Sequence, residues 1–451
     1  LYVNTESIDK KFLKKHFNEK SGVLFKCDPV QQFGQGGPTG NSDLAWLGSD
    51  TSLYYDHYKL KSEVGWGELV HLIDVLNNNP AELDSVLNID RVLWAFAVNN
   101  VVSNHDAYNG LYQHNYYLYQ SKDGLFQMIP WDVSESFVGA LYNTPPDPSY
   151  LYEHDPFNGY NSTWTPLVQA LTSDPTSRYG KIYSAHIRTI MNESLNVNEI
   201  GYFVDEMQIL GYDAADDDPN KYFDMSAYSS NVDNEYIIPF VFACGGITST
   251  VNLRKPYLES HLEIAKIPPS ISGTEVISVD EQYFVTTIID NGLSAELMTT
   301  TSVHNSKFIS QIMVDDGTNG DQLSNDGIFT ALLPYSIGGP QVKFYVRAEN
   351  SGAIQLDPQR AEYEFYLYDN TLSIKRKNEG NNLNVFPSPT NSSLILEGVT
   401  SASCKIYNIY GALILAESIK QSNPILDVSN LPNGFYFVEV NGIIKKFQKI
   451  Q

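Results

Sequence analysis

Residues 1 to about 265 carry apolar positions in two rhythms. In SIDKKFLKKHF, Ile8, Phe12, Leu13 and Phe17 recur at helical spacing, with Ser7 as the candidate N-cap. GELVHLIDVLNN predicts a helix stopped near Pro80. NIDRVLWAFAVNNVVSN sets Val92, Leu93, Phe96, Val101 and Val102 among few charges, which predicts a buried helix rather than a surface one. Helical segments are also expected around 164–172, 178–192, 197–210 and 252–265. Between them, NYYLYQ and LFQMIPW alternate like strands around the turn SKDG, so residues 115–131 predict a hairpin. At the start, LYVNTESIDKKFL reads as a strand running into a helix. With no Met first and no signal-peptide pattern, it predicts a fragment that begins inside a domain.

The rhythm changes at Pro268 and Pro269. From there to about 370, QYFVTTIID, KFISQIMVDDG, GIFTALLP, QVKFYVRAEN and AEYEFYLYD alternate with Gly, Asp and Asn turns, which predicts a β-sandwich. IKRKNEGNN is a polar linker, and the rest is β-patterned again. The fold class expected is therefore α+β. Its domains are 1–266, a sandwich at 267–370, a linker at 371–380 and a small β-sandwich at 381–451.

Composition narrows the function. A chain of 451 residues exceeds one ordinary core, so several domains are expected. A net charge of -24 argues against a nucleic-acid partner and suits a soluble protein in salt water or outside a cell. Thirty tyrosines fit a secreted β-rich protein. The three cysteines, Cys27, Cys244 and Cys404, are far apart and include no CxxC pair, which argues against a structural zinc site and a dense disulfide framework. No apolar run approaches the roughly 20 residues of a membrane helix, so no transmembrane segment is expected.

The candidate chemistry lies in NHDAYNGLYQHNYYLYQSKDGLFQMIPWD, residues 104–132. If Gln120 pairs with Leu125, Asn115 lies opposite Pro130. Asn115 and Asp132 are then diagonal neighbours on one face, roughly 7–8 Å apart at Cα. Two oxygen ligands at that separation can share a cation such as Mg²⁺. Asp106 precedes them in a loop, placed for proton or water positioning. Catalytic Asp, metal-binding Asn, then metal-binding Asp is the order found in protein kinases. Plainer readings stand beside these. A lone loop Asp is usually a cap or turn residue, and His105 and His114 are more often hydrogen-bonding groups than ligands, with no HExxH spacing present. Tyr116, Tyr117 and Tyr119 read as sheet packing. YDAADDDPNKY, 212–222, reads as a solvated loop. QQFGQGGPTGNSD lacks the GK[ST] ending of a phosphate loop. DDGTNGDQLSNDG, 315–327, can bind calcium, but Asp, Asn and Gly satisfying tight turns is the favoured reading.

NHDAYNGLYQHNYYLY…GLFQMIPWDVSESF resembles the signature of the CotH kinase family, atypical kinases named for a spore-coat protein. LYVNTESIDKKFLKKHF and SRYGKIYSAHIRTIM resemble its flanking segments, so the likeness covers about 1–265. It implies a kinase-like fold, mostly the C-lobe, binding ATP with Mg²⁺ or Mn²⁺ and phosphorylating protein hydroxyls. Asp106 then resembles the catalytic base, Asn115 and Asp132 the metal ligands, Asn104 and His105 the loop supports. Glu6 falls in the segment resembling the hinge beside the nucleotide. The family reads PWDxD, whereas this chain has Ser134 at the second Asp, with Glu135 next to it, and the family's phosphate-binding N-lobe has no counterpart after Leu1. LNVFPSPTNSSLILEG…KIYNIYGALI…LDVSNLPNGFYFVEVNGIIKKFQK resembles the type A C-terminal sorting domain of type IX secretion in Bacteroidetes, with Ser388 and Ser392 departing from its usual Asn and Gly. That implies handling by the type IX machinery and a secreted or surface-attached protein, with the middle sandwich as an immunoglobulin-like spacer. The expectation is a secreted kinase acting on Ser or Thr of surface or matrix proteins. The alternatives are a non-catalytic kinase-like scaffold or adhesion protein, and a carbohydrate- or calcium-binding surface protein.

Overall fold

The computed structural model describes residues 6–29, 41–111, 113–138, 141–142, 152–157, 165–221, 223–238, 242–304, 306–335, 339–369, 384–388, 390–397, 402–408, 412–419, 424–440 and 443–450. The strand expected at 1–4, the glycine-rich loop at 31–40 and the linker at 371–380 lie outside the described residues.

Helix α1 (Lys10–Phe17) is capped by Asp9, not Ser7. The Asp9 carboxylate accepts from the amides of Lys11 at 2.7 Å and Phe12 at 3.1 Å, which satisfies donors the helix itself leaves open. Strands β1 (Val23–Cys27) and β2 (Lys59–Leu60) follow, then α2 (Trp66–Asn78) and α3 (Ile89–Val101). Strands β3 (Tyr116–Gln120) and β4 (Phe126–Pro130) close an antiparallel sheet in the order β2-β1-β3-β4. Ten of the thirteen residues of α3 are buried, as its near lack of charge predicts.

Short strand β5 (Leu141–Tyr142) and helices α4 (Pro166–Leu171), α5 (Arg178–Glu193), α6 (Val197–Asp217) and α7 (Met225–Ser230) come next. Strands β6 (Tyr236–Ile238) and β7 (Phe242–Cys244) and helix α8 (Ile247–Ser260) complete this part. Helix α6 runs seven residues past the end expected for it, so the carboxylate run at 212–217 is helical rather than loop. Ala214 and Ala215 favour helix there, and Pro219 lies just beyond its end. Arg254 on α8 is fully buried. Its guanidinium donates to the carbonyls of Asn100, Tyr152 and His154 and to Asn100 Oδ1, tying α8 to the end of α3.

Strands β8 (Ser270–Val279), β9 (Gln282–Asp290), β10 (Ser294–Thr300), β11 (Ile309–Met313), β12 (Ile328–Leu332), β13 (Val342–Glu349), β14 (Ile354–Asp357) and β15 (Tyr366–Tyr368) form two sheets. One has the order β12-β9-β8; the other is β11-β10-β13-β14, with β15 also on β13. Val285, Ile289, Leu297, Met313, Phe344 and Val346 fill the core between them. Met298, Tyr345, Ile354, Leu356 and Ala361 point the other way and join the same buried cluster as α3 and α5. The chain accordingly divides into one compact unit over Leu1–Asp369 and a second over Asn370–Gln451. The second unit has two antiparallel sheets, built on Ser393–Glu397 and on Ala402–Asn408 with Gly434–Val440, around Leu394, Leu396, Ile406, Val438 and Phe447. Among the described residues no helix is long and apolar enough to cross a membrane, and the three cysteines are buried free thiols.

Candidate active site

The loop after α3 is built to hold one carboxylate. Asn104 donates its amide to the Asn99 carbonyl at 2.7 Å, and Asn104 Oδ1 accepts from the Asp106 amide at 3.2 Å. The His105 carbonyl accepts from Leu111 N at 2.7 Å. Gly110 passes so close that a Cβ there would lie 2.1 Å from the His105 carbonyl oxygen. Asn104 and His105 thus support the loop, one by side chain and one by main chain.

Asp106 emerges half-exposed with both oxygens engaged. His114 Nε2 sits 2.5 Å from Oδ1, and Asn115 Nδ2 donates to Oδ2 at 2.9 Å and to the Asp106 carbonyl at 3.0 Å. Because Asn115 spends its amide nitrogen on Asp106, its Oδ1 is the atom left for a cation. Asp132 begins the segment after β4. It is exposed, and its Oδ1 accepts from the Ser134 hydroxyl at 2.8 Å, so a neutral hydroxyl stands where the family pattern has a second acid.

The hairpin register differs from the one expected. Gln120 pairs with Phe126 and Tyr116 with Pro130, because only Lys122, Asp123 and Gly124 turn between Ser121 and Leu125. Gly124 adopts φ +91, which L side chains rarely reach. The one-residue shift places Asn115 against Trp131, whose amide donates to the Asn115 carbonyl at 3.0 Å. A one-residue shift would put Asn115 and Asp132 on opposite faces of a regular ribbon. Both residues instead adopt left-handed φ values, 59 and 52, and leave the ladder where it ends. Backbone kinks, not strand parity, therefore set the directions of these two side chains.

Neighbouring charges that sequence reasoning missed complete the surroundings of Asp106. Lys26 and Asp28 stand two apart along and just past β1, hence on one face, and Lys26 is the register partner of Lys59 on β2. Asp28 Oδ2 receives Lys26 Nζ at 2.9 Å and Lys59 Nζ at 3.1 Å, while Asp28 Oδ1 lies 3.8 Å from His114 Nδ1. The facing His114 first, then Lys26 and Lys59, hold Asp28 well below the usual carboxylate range despite its partial burial. Burial opposes charge on His114, but the two flanking carboxylates outweigh it and lift the imidazole to about 9. His114 is therefore a cation at neutral pH, bridging Asp28 and Asp106. A lysine inside the otherwise apolar VLFKC was the available signal. Glu6 is exposed and ion-paired with Lys15 at 3.1 Å and His16 at 3.2 Å.

Elsewhere, carboxylate oxygens of Asp315, Asp321 and Asp326 lie within 4.8 Å of one another. These groups also take turn amides: Asp315 those of Asp326 and Gly327, Asp321 those of Gly317 and Leu323.

Residues 1–241, more than half of the chain, match the sequence profile described as CotH kinase protein. The chain belongs to the CotH kinase family. Residues 384–450 of this CotH-family chain match the secretion system C-terminal sorting domain, which assigns it to export by type IX secretion, to the cell surface or the medium. No curated protein matches it. Three solved structures give weak similarity. The central fibronectin-III array of RIM-binding protein is 8% identical, covering 41% of this chain and 62% of that one, at a TM-score of 0.17. Dimeric latent PorU from Porphyromonas gingivalis is 12% identical over 41% and 20%, at 0.17. The BSP domain of a biofilm-associated protein is 9% identical over 40% and 30%, at 0.14. The chain spans less than two thirds of each, and at these scores none bears on its fold.

Proposed function

We propose that this exported CotH-family protein is an atypical protein kinase that transfers the γ-phosphoryl group of ATP to Ser or Thr hydroxyls of surface or matrix proteins. The observation that carries the reading is the Asp106–Asn115 pair: a half-exposed carboxylate fixed by an amide whose oxygen remains for a cation, with Asp132 on the far arm of the same hairpin. Asn115 Oδ1 and the Asp132 carboxylate are hard oxygen donors, the chemistry that suits Mg²⁺ or Mn²⁺ with nucleotide phosphates. Among the described residues Asp132 Oδ2 has no protein partner, which fits that role. The metal would screen the phosphate charge. Asp106 would accept the acceptor hydroxyl's proton, and His114 and Asn115 keep its carboxylate aimed. Lys26 and Lys59, held by Asp28, would add positive charge to the surroundings of a bound nucleotide.

Ser134 favours a second reading, a kinase-like binding module without turnover, because it removes one candidate ligand. Incubation of the purified protein with γ-labelled ATP and Mn²⁺, alongside Asp132→Ala, separates the two. The kinase reading expects label on protein hydroxyls and metal-dependent ATP binding, both lost in the variant. Wild-type protein that neither transfers label nor binds ATP with metal would overturn it.

A further inference from the structure

We propose that the β-sheet region of the first unit, β8–β15, is a positioning device for the site, gripping both elements that carry it, with Asp123 as its key contact. Its kinetic arm rests on the kinase reading; its structural arm does not.

The first grip is on the hairpin turn. Asp123 organises that turn, its Oδ1 accepting from Ser121 Oγ at 2.5 Å and Leu125 N at 3.3 Å. Its other oxygen accepts from the Ser306 hydroxyl, and its carbonyl accepts from Lys307 Nζ, both on the loop between β10 and β11. Glu19, buried at 7% exposure, also holds the turn. Its Oε1 accepts from Tyr119 Oη and Lys122 N, each at 2.9 Å, and His304 Nε2 of the same β10–β11 loop stands 3.8 Å from its Oε2.

The second grip is on α3, the helix that leads into the Asp106 loop. Asp90 in its first turn accepts from the Glu362 amide at 3.0 Å and lies 2.8 Å from His186 Nε2 of α5. Trp94 Nε1 donates to the Ala361 carbonyl at 2.9 Å and stacks on His186 with centroids 3.9 Å apart. The Arg91 guanidinium lies 4.5 Å from the Tyr363 ring centroid.

Between the grips lies an open cleft of about 450 Å³, lined by apolar Leu93, Met298 and Phe308 and by charged Arg178, Arg347 and Glu362, among others. Close packing of Leu118, Phe126 and Met128 against Val92 and Phe96 seats the hairpin on the helix; where the cleft interrupts that packing, the polar contacts at its edges hold the turn. The hairpin strands rise ~3.3 Å per residue, so a tilt at the turn displaces Asn115 and Asp132 at the far end. Displacements of that kind cost transfer rate more than nucleotide affinity, because they spoil alignment rather than binding area.

The test uses the full chain. Hydrogen exchange over residues 116–130 is compared between wild type, Asp123→Ala, Ser306→Ala and Asp123→Asn, which keeps an acceptor oxygen. Loosening the grip should speed hairpin exchange about tenfold in the first two variants, with Asp123→Asn near wild type, as for one lost hydrogen bond. With labelled ATP, kcat should fall about tenfold while KM for ATP changes less than about twofold. Wild-type exchange rates in both Asp123→Ala and Ser306→Ala would overturn the proposal, as would a kcat that falls only with the folded fraction. If wild type transfers no phosphate, the exchange result still decides this point while the kinase reading fails. If Asp123→Ala does not fold, Ser306→Ala carries the same comparison.

Discussion

Two carboxylate clusters in the first unit are built from the same residue types and differ in everything that bears on chemistry. Asp315, Asp321 and Asp326 come from one short loop and spend their oxygens largely on that loop's own amides. No ion pair among the described residues reaches them. Asp28 and Asp106 come from separate parts of the chain and meet two lysines, a cationic histidine and an oriented asparagine amide. The first arrangement is what a tight turn needs. The second costs desolvation that a turn would not require, and it leaves a half-exposed, aimed carboxylate. Convergence across the sheet, not the density of Asp and Asn, separates the candidate site from the turn.

Perturbing each cluster sharpens the contrast. The largest effect is expected for Asn115→Leu, which removes both the amide holding Asp106 and a candidate ligand; label transfer should drop by about 100-fold or more. Asp321→Ala should lower stability by about 1–3 kcal/mol in denaturant titration, because two turn amides lose a buried acceptor. His114 supplies a pH test. Its folded pKa, about 9, exceeds its free value of 6.5, so its contribution is complete below pH 6.5 and fades as pH rises through 9. Without metal or nucleotide, the melting-temperature gap between wild type and His114→Gln should be widest near pH 6 and close towards pH 10. In Asp28→Asn that window should move to lower pH, because one of the two flanking carboxylates is gone. Smallest of all, Asp326→Asn on the exposed side of the loop should shift stability by no more than about 0.5 kcal/mol. A loss of transfer from Asp326→Asn as large as that from Asn115→Leu would erase the distinction.

What the sequence made legible follows the range of the interactions. Helix α3 is readable because eight of its ten buried residues are apolar, and the hairpin because its strands are rich in aromatic residues. The β10 strand, SAELMTT, was missed because Ala, Glu, Leu and Met favour helix and only the neighbours β11 and β13 make it a strand. The register slipped by one residue because the turn spans Lys122–Gly124 rather than all of SKDG. Asp28 and Lys59 are not legible as partners because it is β1, pairing with both β2 and β3, that brings Asp28 to Lys59 and to His114.

The most direct measurement is γ-phosphoryl transfer by Asp106→Asn, with Mn²⁺–ATP affinity measured on the same sample. The account predicts nucleotide binding within a few-fold of wild type and transfer reduced by about 100-fold or more, since a neutral amide cannot accept the hydroxyl proton. Transfer at the wild-type rate would contradict it.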